Sequence, residues 1–187
     1  MCGRFMFVSN EEALREAYPM VRMIQPSLFS QEIFPTQEVS VIMNSLDLIN
    51  MRWGIPTNFT KQPIINARLE TIDSKELFKS AFFTNRCLIP MTGFYEWDHN
   101  KQKYLFSPQE ENLLGLAGLV VVQKKQEHFQ LYTTIITKSS TDQMKGIHQR
   151  MPILIPIKDT ERYLKMEARQ AKKYLTEIDI EMEITAV

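Results

Sequence analysis

Apolar and polar positions alternate most clearly in the middle of the chain. Val39 to Met43, Leu113 to Val122 and Gln130 to Thr137 are rich in β-branched or apolar residues and are bounded by polar turns, so they predict strands at the heart of a sheet. Helical signals lie to either side. Ser9 and Asn10, followed by Glu11 and Glu12, form a helix start, and Glu11 to Tyr18 predicts a short helix stopped by Pro19. Ser74 precedes another helical stretch through Phe82, and Asp159 to Lys165 and Glu167 to Leu175 predict two more. Ile178 to Ile184 alternates apolar with acidic residues and predicts a final strand. Because the strands arrive in groups instead of alternating regularly with helices, a doubly wound parallel sheet is disfavoured. The expected class is α+β, with a largely antiparallel β core and peripheral helices. No solenoid-period repeat and no Gly/Ser- or Pro-rich linker divides the sequence, so a single domain over residues 1–187 is expected.

Composition changes this picture little. At 44% hydrophobic and 24% charged, the 187 residues match an ordinary soluble globular chain. The 22 basic and 22 acidic side chains cancel, so any nucleic-acid binding has to come from a local patch instead of a global field. Cys2 and Cys87 cannot build a disulfide framework, and no charged-then-apolar leader precedes a small-residue cleavage site. Apolar runs such as Leu116 to Val122 are far too short for a bilayer. A cytoplasmic protein without a membrane segment is the expectation. With no Cys or His spacing resembling a zinc site and no Gly-rich phosphate loop, neither a metal nor another cofactor is expected.

Candidate chemistry begins at Cys2, directly after the initiator methionine. A small second residue is the circumstance in which that methionine is normally trimmed. Trimming would leave an α-amine with a reference pKa of about 8 beside a thiol of about 8.5, two nucleophiles on one residue. An aldehyde condenses with such an amine to a Schiff base, and the thiol then closes a five-membered thiazolidine. Taken alone, Cys2 reads first as an incidental cysteine near a frayed terminus.

Four further segments bear on that choice: Met1-Cys2-Gly3-Arg4, Asn66-Ala67-Arg68-Leu69-Glu70-Thr71, Arg86 to Pro90 running into Gly93-Phe94-Tyr95-Glu96-Trp97, and Ile147-His148-Gln149-Arg150-Met151-Pro152. Together with Pro35-Thr36-Gln37, Trp53-Gly54 and Leu116-Ala117-Gly118-Leu119, they resemble the SOS response-associated peptidase (SRAP) family, whose members crosslink to abasic sites in single-stranded DNA. The resemblance runs to residue 155 or so. It implies that Cys2 is the crosslinking nucleophile, that Asn66 positions the N-terminus or the opened sugar, and that Glu96 and His148 move protons. It also implies single-stranded DNA containing abasic sites as the partner and a role in repairing damaged DNA; a monomer is the expected form. Peptidase activity would in its simplest form be removal of the protein's own Met1. The chain departs from the family pattern at Glu32-Ile33-Phe34 and in the short loop after Trp53-Gly54.

Arg4, Arg68 and Arg150 come from separate motifs and, gathered around Cys2, would make a phosphate-binding patch. Trp53, and with less reason Trp97, is a candidate for stacking on an unpaired base. Each residue also has an ordinary reading. Glu96 suits the solvent-facing position of an edge strand, His148 and Asn66 suit turns, the arginines suit surface salt bridges, and both tryptophans suit a core. Cys87, between Arg86 and Leu88-Ile89, reads as a buried structural thiol, and His99 and His128 as exposed and inert.

Two other functional classes share some of these features. N-terminal nucleophile amidohydrolases of the glutamine amidotransferase kind also begin Met-Cys-Gly, and use the free amine as base for the thiol. They need an oxyanion hole and a substrate-carboxylate pocket as well. A noncatalytic single-strand binder would use the arginines and tryptophans and gain nothing from Cys2.

Overall fold

Pairing between alternating strands builds most of the molecule, and the computed structural model describes residues 2–109 and 112–187. The chain runs through β1 (Arg4–Phe7), α1 (Glu11–Ala17), β2 (Arg22–Met23), β3 (Ser30–Ile33), β4 (Glu38–Met43), β5 (Asp47–Trp53) and β6 (Asn66–Arg68). A 3-10 turn over Leu69–Thr71 leads to α2 (Glu76–Thr84), β7 (Arg86–Met91), β8 (Gly93–Trp97), β9 (Lys103–Pro108), β10 (Leu114–Lys125) and β11 (His128–Ser139). Then come β12 (Arg150–Pro152), β13 (Leu154–Ile155), α3 (Thr160–Lys165), α4 (Ala168–Glu177) and β14 (Met182–Ala186). This is the expected α+β class.

One sheet has the order β14-β9-β8-β1-β3 and is antiparallel throughout. The other runs β12-β11-β10-β7-β4-β5-β2, and β11 also pairs with β5, so β11, β10, β7, β4 and β5 close into a barrel. Closure removes two sheet edges that would otherwise expose unpaired backbone groups. The barrel closes through a parallel pairing, and β6 continues in parallel along the same strand, with Ile135 opposite Asn66 and Thr137 opposite Arg68. That register carries Asn66 to the site described below.

The two sheets meet through aromatic side chains. Phe5 of β1 meets the ring of Trp53 of β5 edge-on at 5.2 Å, while Phe94 and Phe106, cross-strand partners on β8 and β9, stack at 4.7 Å within the five-stranded sheet. Small residues allow the close approaches: a Cβ on Gly115 would lie 2.1 Å from Leu88 Cγ, so β10 and β7 could not keep their present spacing with alanine there. Gly54 takes φ +111° where the chain leaves β5, a conformation that a side chain would strain.

Most predicted elements are present. Asn10 caps α1 by accepting a hydrogen bond from the Ala13 N–H at 2.9 Å, and the helix ends just before Tyr18 and Pro19. The last strand differs from expectation: it begins at Met182 instead of Ile178, where pairing with Pro108 of β9 starts. Ala171 and Leu175, four apart, hold α4 on the core, and Lys138 donates to the carbonyls of Thr176 and Ile178 at its C-terminal end. The alternating sequence after the helix is thus strand only where it can pair with β9. No helix among the described residues is long and apolar enough to cross a membrane.

Candidate active site

Cys2 precedes β1, whose apolar residues Phe5 and Phe7 are buried and anchor the start of the chain. Its side chain is fully buried, and its carbonyl accepts a hydrogen bond from Asn66 Nδ2 at 3.1 Å. The parallel pairing of β6 with β11 delivers Asn66 there, 64 residues away in sequence. Asn66 Oδ1 is also buried and accepts no hydrogen bond among the described residues. An unfilled acceptor costs free energy unless something else donates to it, which suits a site completed by another group.

Glu96 is only 3% exposed, against the solvent-facing position open to it from sequence alone. The reason is the sheet: β8 lies between β1 and β9, so alternate residues face inward, and Glu96 falls on the same side as the buried Phe94. Burial pushes the Cys2 thiol well above the ordinary cysteine range, and the negative charge of Glu96 raises it further. A carboxylate, a carboxamide and a thiol therefore meet at the head of β1. Cys87, by contrast, is buried against Thr133 Oγ1 at 3.5 Å with its thiol pushed up to about 12 by burial, as expected of a structural cysteine.

His148 stands just before β12. Its Nδ1 lies 3.0 Å from the Arg150 N–H and 3.1 Å from the Arg150 carbonyl. In the Nε2–H tautomer Nδ1 accepts from the first, and an Nδ1–H donates to the second. Arg150 is itself engaged: it grips Glu70 with a fork of 2.6 and 3.0 Å and donates to the Thr137 carbonyl at 2.8 Å. This fork holds the Glu70 carboxyl below the usual carboxylate range. Since Thr137 is opposite Arg68 across β11 and β6, the His148–Arg150 segment is tied to the strand that bears Asn66. Arg68 is exposed, whereas Arg4 is bound to Glu32 at 3.0 Å.

Trp53 corrects an expectation. It is fully buried, its Nε1–H donates to the Ile65 carbonyl at 3.0 Å, and its ring packs on Phe5, so no face is open to a base. A large apolar ring with one satisfied polar atom is more stable in the core. Trp53→Ala is accordingly expected to lower stability by about 3–5 kcal/mol in denaturant unfolding. A fully stable variant with selectively weaker DNA binding would return Trp53 to the interface.

Sequence reasoning missed an open cavity of about 970 Å³ that Asn66 shares with Pro35, Thr36, Lys61, Pro63 and Ile65. Phe59, 73% exposed, lies in the loop that supplies Lys61. An aromatic among polar turn residues, Thr57-Asn58-Phe59-Thr60-Lys61, was the available signal. Thr36 lines the cavity at φ 76°, a strained conformation for a β-branched residue, with its N–H held by the Trp53 carbonyl at 2.8 Å.

Known proteins resemble this chain in sequence and in fold. The protein called abasic site processing protein YoqW from Bacillus subtilis is 30% identical over 179 residues, which cover 88% of this chain and 80% of that protein. Abasic site processing protein HMCES from Xenopus tropicalis is 30% identical over 139 residues, 58% of this chain and 42% of that protein. A crystal structure of a Bordetella bronchiseptica protein superposes with a TM-score of 0.84 at 20% identity, covering 100% of this chain and 99% of that one, and so shares the fold. The family profile described as SOS response associated peptidase (SRAP) matches residues 1–187, and the chain belongs to that family.

Proposed function

We propose that the protein captures abasic sites in single-stranded DNA covalently, through Cys2 once Met1 has been removed. The observation that carries this reading is the burial of Glu96 beside Cys2, whose carbonyl Asn66 holds. The names of the relatives, abasic site processing proteins, point to the same substrate.

The chemistry follows from the groups present. Glu96 takes a proton from the new α-ammonium, and the free amine attacks the aldehyde carbon of the ring-opened sugar. The resulting carbinolamine loses its hydroxyl as water, with the proton supplied by an acid, to give an imine. Cys2 sulfur then adds to the imine carbon while the thiol proton passes to nitrogen, closing the thiazolidine with one water released overall. Asn66 Oδ1 can accept from the amine or a sugar hydroxyl, and His148 can protonate the ring oxygen as the sugar opens. The cavity beside Asn66 takes the neighbouring nucleotide, with the exposed ring of Phe59 as the stacking surface in place of Trp53. Removal of Met1 is the processing step this reading requires, and self-removal is the form that a peptidase activity would take.

Incubating processed protein with abasic single-stranded DNA tests the proposal: an adduct resistant to heat and detergent is expected, and its absence at saturating DNA would overturn it. Arg68→Ala is expected to weaken binding to DNA of any sequence and to flatten its salt dependence by about 0.7 in log–log slope, as loss of one phosphate contact to a single strand should. Arg150→Ala should do so as well if DNA takes over its fork from Glu70. An unchanged slope in Arg150→Ala, with a lower melting temperature, would assign that arginine to Glu70 and Thr137 alone.

A further inference from the structure

A second group of charges and rings lies on the five-stranded sheet. Glu32 Oε1 accepts from two cations at once, Arg4 Nη1 at 3.0 Å and Lys103 Nζ at 2.7 Å. Rings flank both: the Arg4 guanidinium lies 3.9 Å from the centre of Phe34 and 5.3 Å from that of Trp97, and the Lys103 ammonium 3.9 Å from Tyr95 and 5.6 Å from Trp97. Strand register produces the cluster, since Arg4 is opposite Tyr95 across β1 and β8, and Trp97 is opposite Lys103 across β8 and β9. Glu32 enters from β3, the strand at the sheet's end.

The cluster has two positive charges and one negative. Its three charged side chains keep 31%, 31% and 27% of their surface exposed, so a solute can reach them. Lys103 foremost, and then Arg4, hold the Glu32 carboxyl below its usual range, as cations around a bound anion do. A carboxylate and a phosphodiester present the same recognition features, two oxygens sharing one negative charge. Position matters too: Arg4 is two residues from Cys2, and Trp97 adjoins Glu96.

We propose that Arg4 and Lys103 form a phosphate subsite that Glu32 occupies in the free protein, and that a backbone phosphate of the bound strand displaces it. This rests on the single-strand binding proposed above. Glu32 thus acts as an internal competitor, and lies on an edge strand from which it can turn to solvent. Its removal exposes the two cations without altering the crosslinking residues.

The experiment uses processed protein and a fluorescent, lesion-free oligothymidylate, with anisotropy read over a salt series. Glu32→Gln is expected to bind about three- to fivefold tighter at low salt, the scale of one partly exposed ion pair, and to steepen the salt slope by about 0.7. Lys103→Gln added to Glu32→Gln should remove that gain and the added slope. Equal or weaker binding by folded Glu32→Gln, or a gain that survives Lys103→Gln, would overturn the subsite and make Glu32 a strut between β3 and its neighbours. Should Glu32→Gln fail to fold, Lys103→Gln alone decides: a flatter slope supports the subsite, and an unchanged slope overturns it. Crosslinking to abasic DNA is read in parallel on the wild type. Failure there sinks the parent reading, whereas normal crosslinking with unaltered Glu32→Gln binding sinks only the subsite.

Discussion

Cys2→Ala is expected to abolish the denaturation-resistant adduct with abasic single-stranded DNA while leaving noncovalent affinity within a few-fold of the parent. The substitution removes the sulfur that closes the thiazolidine but no cation that meets a phosphate. Its amine remains, so the most it can form is an imine, which water reverses unless a reductant is added. The position is tightly packed, and alanine is smaller than cysteine, so the fold should tolerate the change with a modest loss of stability. Gel analysis after heating in detergent reads the outcome. Full yield of stable adduct from Cys2→Ala without reductant would sink the thiazolidine mechanism. Cys87→Ser serves as the control: Cys87 is buried across the barrel strands with its thiol pushed up to about 12, and a correctly folded Cys87→Ser protein should crosslink normally.

Retention of Met1 should have an equally large effect, because it locks the Cys2 nitrogen into a peptide bond. An amide nitrogen carries no available lone pair and cannot condense with an aldehyde. Protein that keeps Met1, or bears a tag ahead of it, is therefore expected to bind DNA without crosslinking, with intact mass establishing the state of the terminus. The thiol gives no alternative route to a stable adduct, since its addition to an aldehyde stops at a hemithioacetal that reverses. In processed protein, Glu96→Ala and His148→Ala are expected to slow adduct formation by about 10²- to 10⁴-fold, the usual range for a general acid or base. Rapid thiazolidine formation by protein shown to retain Met1 would contradict the mechanism.

The sequence by itself determined the class of fold, the principal strands and helices, and the residue types able to trap an aldehyde. Local signals suffice for these: Asn10 and Pro19 delimit α1, β-branched runs mark β4, β10 and β11, and Cys2 follows Met1. Side-chain environment was decided elsewhere. Tyr95, Glu96 and Trp97 read alike along the chain, and only the placement of β8 between β1 and β9 turned Glu96 inward beside Cys2 and left its neighbours half-buried. Trp53 looked like a base-stacking residue until barrel closure put it against Phe5, while Phe59, unremarked in its polar loop, emerged exposed in the loop beside the cavity. Arg4 and Arg150 looked like free phosphate contacts, yet Glu32 and Glu70, 28 and 80 residues distant, reach them. Asn66 reaches Cys2 through a parallel pairing of β6 with β11 that no local pattern records. Burial and pairing depend on which strands become neighbours, a property of long-range contacts that the periodicity of any one segment does not contain.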